Sequence, residues 1–312
     1  MKNKSYTKKC KNCNWRTVIK FWKKRWRQRY KCKACNYIFT NWTRKKQSIS
    51  PILWKDYVFW KQTYKQLAEN YHISIRTVQK YLDEYELPKI SIKPTEIVLL
   101  IDTTYFWDFW IMAFKYYNSW EVIKVQLVKN ENYASYRSWV DELLSEWWKI
   151  KAIVCDGKKW LLWGFWDIPT QMCNFHQVQI ITRYITKHPR LQANKDLLEL
   201  SLLLTKTDKE TFIYYLEQWY ILYEGFIKEK AIDENGKSYY IHKRTRSAYF
   251  SLKRNLKYLF TYYDYIWQVD IPNTTNWLEG FFSHVKTKVR VHSWLKKERK
   301  IKLILSLLYL KI

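Results

Sequence analysis

The sequence predicts an α/β chain in three parts: a cysteine-held ribbon over residues 1–46, a bihelical module over 50–90, and a sheet-based domain over 95–312. Three observations carry this. Two Cys-x-x-Cys pairs stand near the N-terminus, and a short polar turn joins two helix-patterned stretches around Ile73. Farther on, an apolar run at 97–101 and a strand-like run at 151–155, apolar after Lys151, each lead into an aspartate. At 312 residues the chain is long enough to bury more than one core.

The ribbon follows from Cys10-x-x-Cys13 and Cys32-x-x-Cys35, separated by 18 residues. Two thiolates three positions apart bind one ion from a tight knuckle, and a second knuckle completes a tetrahedron. One structural Zn²⁺ is therefore expected, in a closed site without catalytic chemistry. Between the pairs runs Phe21-Trp22-Lys23-Lys24-Arg25-Trp26-Arg27-Gln28-Arg29-Tyr30. Arg25, Arg27 and Arg29 are candidate phosphate contacts, against the plain alternative of a solvated basic loop.

The bihelical module begins after Ser48-Ile49-Ser50-Pro51. Gln66 to Tyr71 ends one helix, His72-Ile73-Ser74 supplies a turn, and Ile75 to Leu82 forms the next. Ser74 is placed to cap the second helix, with Ile73, Val78 and Leu82 toward the core. Arg76, Thr77, Gln79 and Lys80 then project outward, as in the recognition helix of a helix-turn-helix entering a major groove. A plain helical hairpin is the bland alternative.

In the large segment, Ile97 to Ile101 reads as a buried strand ending in Asp102. Strand-like runs follow around 109–117 and 121–128, then a helix over Tyr133 to Trp148, then a strand from Lys151 to Cys155 ending in Asp156-Gly157. Three strands, a helix and a strand match the opening of a ribonuclease H-like sheet. In that order the first and fourth strands are neighbours, which sets Asp102 beside Asp156. Paired carboxylates repel unless a cation joins them, and hard oxygen ligands select Mg²⁺ or Mn²⁺. A third acid is expected on a later helix, where Thr275 or Asn276 caps a stretch carrying Glu279. Lys286 follows two turns later on the same face.

Charge and composition set the partner class. Lys and Arg exceed Asp and Glu to give a net charge of +28, which calls for a polyanion such as double-stranded DNA. The basic residues are spread along the chain and no apolar run is long enough to cross a membrane, so no membrane partner is expected. The N-terminus lacks a signal-peptide core, which predicts a soluble, cytoplasmic protein.

One figure is abnormal: 5 Gly against 19 Trp, where about 7% Gly is usual. Several Trp stand at turns, as in Trp107-Asp108 and Asn118-Ser119-Trp120. Tight turns there call for positive φ, which glycine tolerates and a bulky residue resists. Many of these Trp are accordingly expected to be glycines encoded by UGA and read with the wrong genetic code. A genuinely tryptophan-rich protein is the alternative.

Taken together these motifs resemble the DDE transposases of bacterial insertion sequences, specifically the Mutator-type group in its zinc-ribbon variant. The resemblance rests on the Cys pairs, the helix-turn-helix, Asp102-Thr103-Thr104, Cys155-Asp156-Gly157, Cys173-Asn174-Phe175-His176, Thr275 to Gly280, and Val291-His292-Ser293-Trp294-Leu295. It implies that Asp102, Asp156 and Glu279 are catalytic and hold two Mg²⁺ or Mn²⁺ ions, with Lys286 near the phosphate. It also implies a helical insertion over about 178–270, end recognition by the N-terminal modules, nicking and joining on double-stranded DNA at element ends and target, and a homodimer on paired ends. In the bacterial cytoplasm such a protein is nucleoid-associated when bound. Cys173 and His176 match a signature of the group, and Trp277 and Trp294 stand at its glycine positions. With no second ligand pair nearby in sequence, a structural or DNA-positioning role is expected for Cys173 and His176, ahead of metal binding. Cys155 before Asp156 is expected in the core. Two other functions compete: a non-catalytic DNA-binding remnant or regulator derived from such an enzyme, and a related metal nuclease that cuts without joining.

Overall fold

Short apolar strands, two cysteine knuckles and capped helices partition the chain into two units, Met1–Tyr85 and Glu86–Ile312. Each is taken by itself. The computed structural model describes residues 9–24, 27–40, 49–87, 92–107, 109–119, 121–292 and 295–309.

The first unit opens with an antiparallel ribbon of β1 (Val18–Lys24), β2 (Arg27–Cys32) and β3 (Ile38–Thr40), in that spatial order. So small a ribbon has little apolar surface to bury. Cys10 and Cys32 are buried with Phe39, and Cys13, Val18, Tyr30 and Cys35 pack around them. The sulfurs of Cys10 and Cys35 lie 3.6 Å apart, as do those of Cys13 and Cys32, and all four cysteines are free of disulfides. A tetrahedron of thiolates around zinc has an edge of about 3.8 Å, so the cluster fits a structural ion. Cys10 is drawn down to about 6, its burial outweighed by the amides of Cys13 and Asn12 and by neighbouring thiols.

Three helices follow: α1 (Ser50–Phe59), α2 (Tyr64–Asn70) and α3 (Ile75–Glu84). A capping box starts α2, with Thr63 and Gln66 each accepting the other's backbone N–H. Ser74 Oγ accepts the Thr77 N–H at 3.1 Å, the cap that the sequence indicates for α3. Leu53, Leu67, Val78 and Leu82 are buried, while Ile73 is half-buried.

The second unit is built on a mixed five-stranded sheet with order β6-β5-β4-β7-β8. Its strands are β4 (Glu96–Phe106), β5 (Phe109–Tyr116), β6 (Val122–Val128), β7 (Lys149–Cys155) and β8 (Thr170–Met172). β4, β5 and β6 form an antiparallel meander, whereas β7 and β8 run parallel to β4. Helix α4 (Tyr133–Ser145) makes the crossover between β6 and β7. The apolar run at 97–101 is the buried half of a longer strand, because β5 continues to pair with β4 as far as Phe106. β8 escapes a search for apolar runs: three residues long, it buries Gln171, whose side chain bonds the carbonyls of Met172 and Leu259 and the amide of Tyr262.

Beyond α5 (Lys159–Gly164), the chain is mainly helical: α6 (Asn174–Ile185), α7 (Gln192–Leu202), α8 (Lys209–Lys228), α9 (Lys243–Leu259) and α10 (Thr261–Asp264). A small hairpin, β9 (Lys230–Ile232) with β10 (Ser238–Tyr240), interrupts this stretch. α11 (Asn276–Val291) and α12 (Lys297–Tyr309) close the unit. One continuous core joins the sheet to helices α6 to α9, from Leu99 and Ile153 through Ile181 to Trp219 and Leu252. No helix among the described residues is long and apolar enough to cross a membrane.

The described tryptophans range from buried to almost fully exposed. Trp54, Trp148 and Trp219 are buried, but Trp147, Trp166 and Trp267 are 86%, 87% and 96% exposed. Trp107 has φ +51° and Trp147 has φ +71°, in the left-handed region that favours glycine. Trp26, Trp42, Trp120 and Trp294 lie outside the described residues.

Candidate active site

Pairing between β4 and β7 ends with Leu100 beside Val154. Two residues on in the same register, Asp102 and Asp156 come side by side at the carboxyl end of β7. This edge of a parallel pair is where open α/β sheets place their ligands. A cleft there is lined by Asp102, Thr103, Thr104, Asp156, His176, Glu279, Phe282, Ser283 and Lys286. Glu279 arrives from the start of α11, and Lys286 stands on the same face of that helix.

Burial governs the electrostatics of the cleft, and its neighbouring acids add to the effect. Burial drives the Asp102 carboxyl up to about 7; the neighbouring Asp156 and Glu279 push the same way, against His176 and the Thr103 amide. That amide donates to Asp102 Oδ1 at 2.8 Å. Lys286 is pulled below the ordinary lysine range by burial, with the Asp102 charge opposing.

Asp156 is held by its own turn. Its Oδ1 accepts the Lys158 N–H at 3.1 Å, and its Oδ2 pairs with Lys158 Nζ at 3.1 Å. Lys158 Nζ also bonds Glu131, which accepts from the Tyr136 hydroxyl at 2.8 Å. That hydroxyl meets Thr103 Oγ1 at 2.5 Å. A continuous polar chain thus links the residue after Asp102 to Asp156. Sequence reasoning missed Glu131, Tyr136 and Lys158. Only Lys158 left a signal, since an aspartate commonly bonds the amide two residues on. Gly157 packs so tightly that a Cβ there would meet Met172 Cε at 2.2 Å.

Cys173 and His176 sit at the start of α6. The Cys173 amide donates to the Cys155 carbonyl at 2.9 Å, and Cys173 Sγ accepts the Thr275 N–H at 3.2 Å. The segment therefore ties the strand before Asp156 to the start of the helix bearing Glu279. Thr275 occupies the N-cap of α11 but makes no side-chain cap, which corrects the expectation of a hydroxyl or amide cap there: its backbone, at φ −103° and ψ 12°, is not the extended conformation from which a capping side chain reaches the N2 or N3 amide. His176 Nε2 lies 3.2 Å from Glu279 Oε1. Burial lowers the affinity of this imidazole for its proton, yet Cys173, Glu279 and Asp102 outweigh that and raise it to about 9.

Among the described residues, two groups bring three or more metal-ligating atoms within 4.8 Å of one another: Cys10, Cys13, Cys32 and Cys35, and Cys173, His176 and Glu279. Asp102 and Asp156 line the same cleft without entering the second group. Cys155 is buried in the core, where burial raises its thiol well above the usual range.

Of the candidate DNA contacts, Arg76 and Lys80 are exposed on α3 and Thr77 and Gln79 are half-buried there. Lys80 pairs with Glu84 at 3.7 Å. Arg27 and Arg29 belong to β2, while Arg25 lies outside the described residues. A scan against protein-family models finds no match for this chain, and no curated protein matches it significantly.

Proposed function

We propose that the chain is a metal-dependent DDE transposase of a bacterial insertion sequence, with a ribonuclease H-like catalytic domain. The observation that carries this reading is the convergence of Asp102, Asp156 and Glu279, from two neighbouring strands and a distant helix, on one cleft beside Lys286. The strand order, an antiparallel meander followed by two parallel strands, supports it as well.

The donor chemistry fits hard divalent ions. Three carboxylates share a cleft in which burial, with the neighbouring acids adding to it, makes Asp102 resist ionisation, and a cation would stabilise the ionised carboxylates. Asp102, Asp156 and Glu279 would hold Mg²⁺ or Mn²⁺, which when bound supplies an activated oxygen nucleophile and stabilises the leaving oxygen. The chain's own residues do the rest. Lys286 faces the scissile phosphate and offsets its charge. Lys158, through Glu131, Tyr136 and Thr103, keeps the two aspartates in fixed relation. The reaction is two displacements at phosphorus: water attacks the phosphodiester at the element end and its 3′-oxygen leaves as a 3′-hydroxyl, and that hydroxyl then attacks a target phosphodiester, whose own 3′-oxygen leaves.

The zinc ribbon and α3 recognise the terminal repeats, two copies of the chain pair the ends, and the work takes place in the bacterial cytoplasm. Arg76→Ala is expected to weaken binding to an end-bearing duplex about tenfold, most of it sequence-specific. Fluorescence anisotropy against end and scrambled duplexes measures this, and equal losses on both would reduce Arg76 to a phosphate contact.

A DNA-binding remnant is the competing reading, favoured by one contact: Lys158 Nζ already occupies an oxygen of Asp156. A Mn²⁺-dependent cleavage and joining assay on DNA carrying the element's own ends separates the two. Joined products with the native protein and none with Asp156→Ala are expected. Specific binding without cleavage, in folded and zinc-loaded protein, refutes the transposase.

A further inference from the structure

Three ligands of different chemistry meet where sequence spacing offers only two. Cys173 and His176 come from the start of α6, and Glu279 joins them from α11. The ligating atoms lie within 4.8 Å of one another. One polar atom here lacks a partner: His176 Nδ1 is buried and makes no hydrogen bond, while Glu279 Oε1 faces His176 Nε2 at 3.2 Å. Buried polar atoms are ordinarily satisfied, and a buried imidazole nitrogen that is not calls for a bound ion or water.

We propose that Cys173, His176 and Glu279 form a second transition-metal site, a thiolate–imidazole–carboxylate set for Zn²⁺ with an open fourth position toward the cleft. Sulfur and imidazole nitrogen select Zn²⁺ over Mg²⁺ or Ca²⁺, which prefer oxygen alone. The sulfur is already oriented as a ligand. It accepts the Thr275 amide at 3.2 Å, as Cys10 Sγ accepts the Asn12 amide at 3.4 Å in the four-cysteine cluster. Three protein ligands and one open position distinguish this site from that closed one.

The site shares Glu279 with the proposed catalytic set. An ion that takes Glu279 toward Cys173 and His176 withdraws it from Asp102 and Asp156, so Zn²⁺ and the hard divalent ions compete for one carboxylate. Binding itself is independent of the transposase reading, because it needs no DNA.

Titration of the reduced, metal-stripped full chain with Co²⁺, followed by its visible d–d absorption, tests the proposal. Two equivalents per chain are expected, both displaced by Zn²⁺. His176→Ala and Glu279→Gln are each expected to lose the second equivalent and keep the spectrum of the four-cysteine site, with thermal melts confirming that both variants fold. Glu279 is partly exposed, so its variant carries the test should His176→Ala fail to fold. One equivalent in the native chain, or two retained in Glu279→Gln, overturns the proposal. Loss in Glu279→Gln but retention in folded His176→Ala places the ion on the carboxylates; that also overturns it while leaving the transposase reading intact.

Discussion

Asp102→Asn is expected to remove strand cleavage and, in the same protein, to raise the thermal stability of the metal-free fold near pH 8. The two effects have one cause. Burial and the neighbouring acids hold the Asp102 carboxyl at about 7 in the folded chain, against an ordinary value of 3.8. The folded state therefore binds this proton more tightly than the unfolded state. The stability it contributes is fully present below about pH 4 and is lost as pH rises through 7. Asparagine mimics the neutral acid and keeps an oxygen for the Thr103 amide, so the variant escapes that loss. Melting curves from pH 5 to 8 should fall more steeply for the native chain than for Asp102→Asn. Added Mg²⁺ should restore the native chain near pH 8 and leave the variant unmoved. Cleavage should drop about a thousandfold or more, the scale of removing one preorganised electrostatic partner of a transition state. A variant that melts lower than the native chain at pH 8 would sink this account of the cleft, whatever its activity.

The parts legible in the sequence are those whose physics is local. Two residues between cysteines make a knuckle wherever they occur, and Ser74 caps α3 because its hydroxyl reaches an amide three residues on. Asp102 and Asp156 were reachable by one longer step, since apolar runs separated by a helix pair in parallel. What stayed hidden depends on distant partners. β8 is stabilised by the buried side chain of Gln171 bonded to residues of α9 and α10, and no apolar run announces it. Thr275 looks like a cap, but its backbone is not extended and its hydroxyl caps no helix amide. Cys173 and His176 look like an incomplete pair until α11 delivers Glu279. The polar chain from Thr103 to Asp156 uses residues with no common spacing, so only the fold brings it together.

Trp107→Gly and Trp147→Gly are each expected to stabilise the protein, by about 1–2 kcal/mol, the cost of holding a side-chain-bearing residue in the left-handed region. For a unit of this size that is about 2–8 °C in melting temperature each. Trp147 follows the last residues of α4, and its N–H donates to the Leu144 carbonyl at 3.2 Å while that of Trp148 donates to Leu143 at 3.1 Å. This is the Schellman arrangement, whose left-handed position is usually glycine. Trp107 directly follows Phe106, the last residue of β4 paired with β5, and at such a hairpin position a positive φ again favours glycine or asparagine. Neither indole is buried: Trp107 is 48% exposed and Trp147 86%. Trp148, next in the chain, is 4% exposed and belongs to the core, so Trp148→Gly should destabilise by several kcal/mol, about 3–5. Opposite signs at adjacent tryptophans separate backbone demand from bulk hydrophobicity. They also bear on the codons. If UGA encodes glycine in the native host, peptides of the native protein will carry glycine at 107 and 147 and tryptophan at 148 and 219. Tryptophan at 107 and 147 in those peptides would make the strained turns a genuine property of the chain.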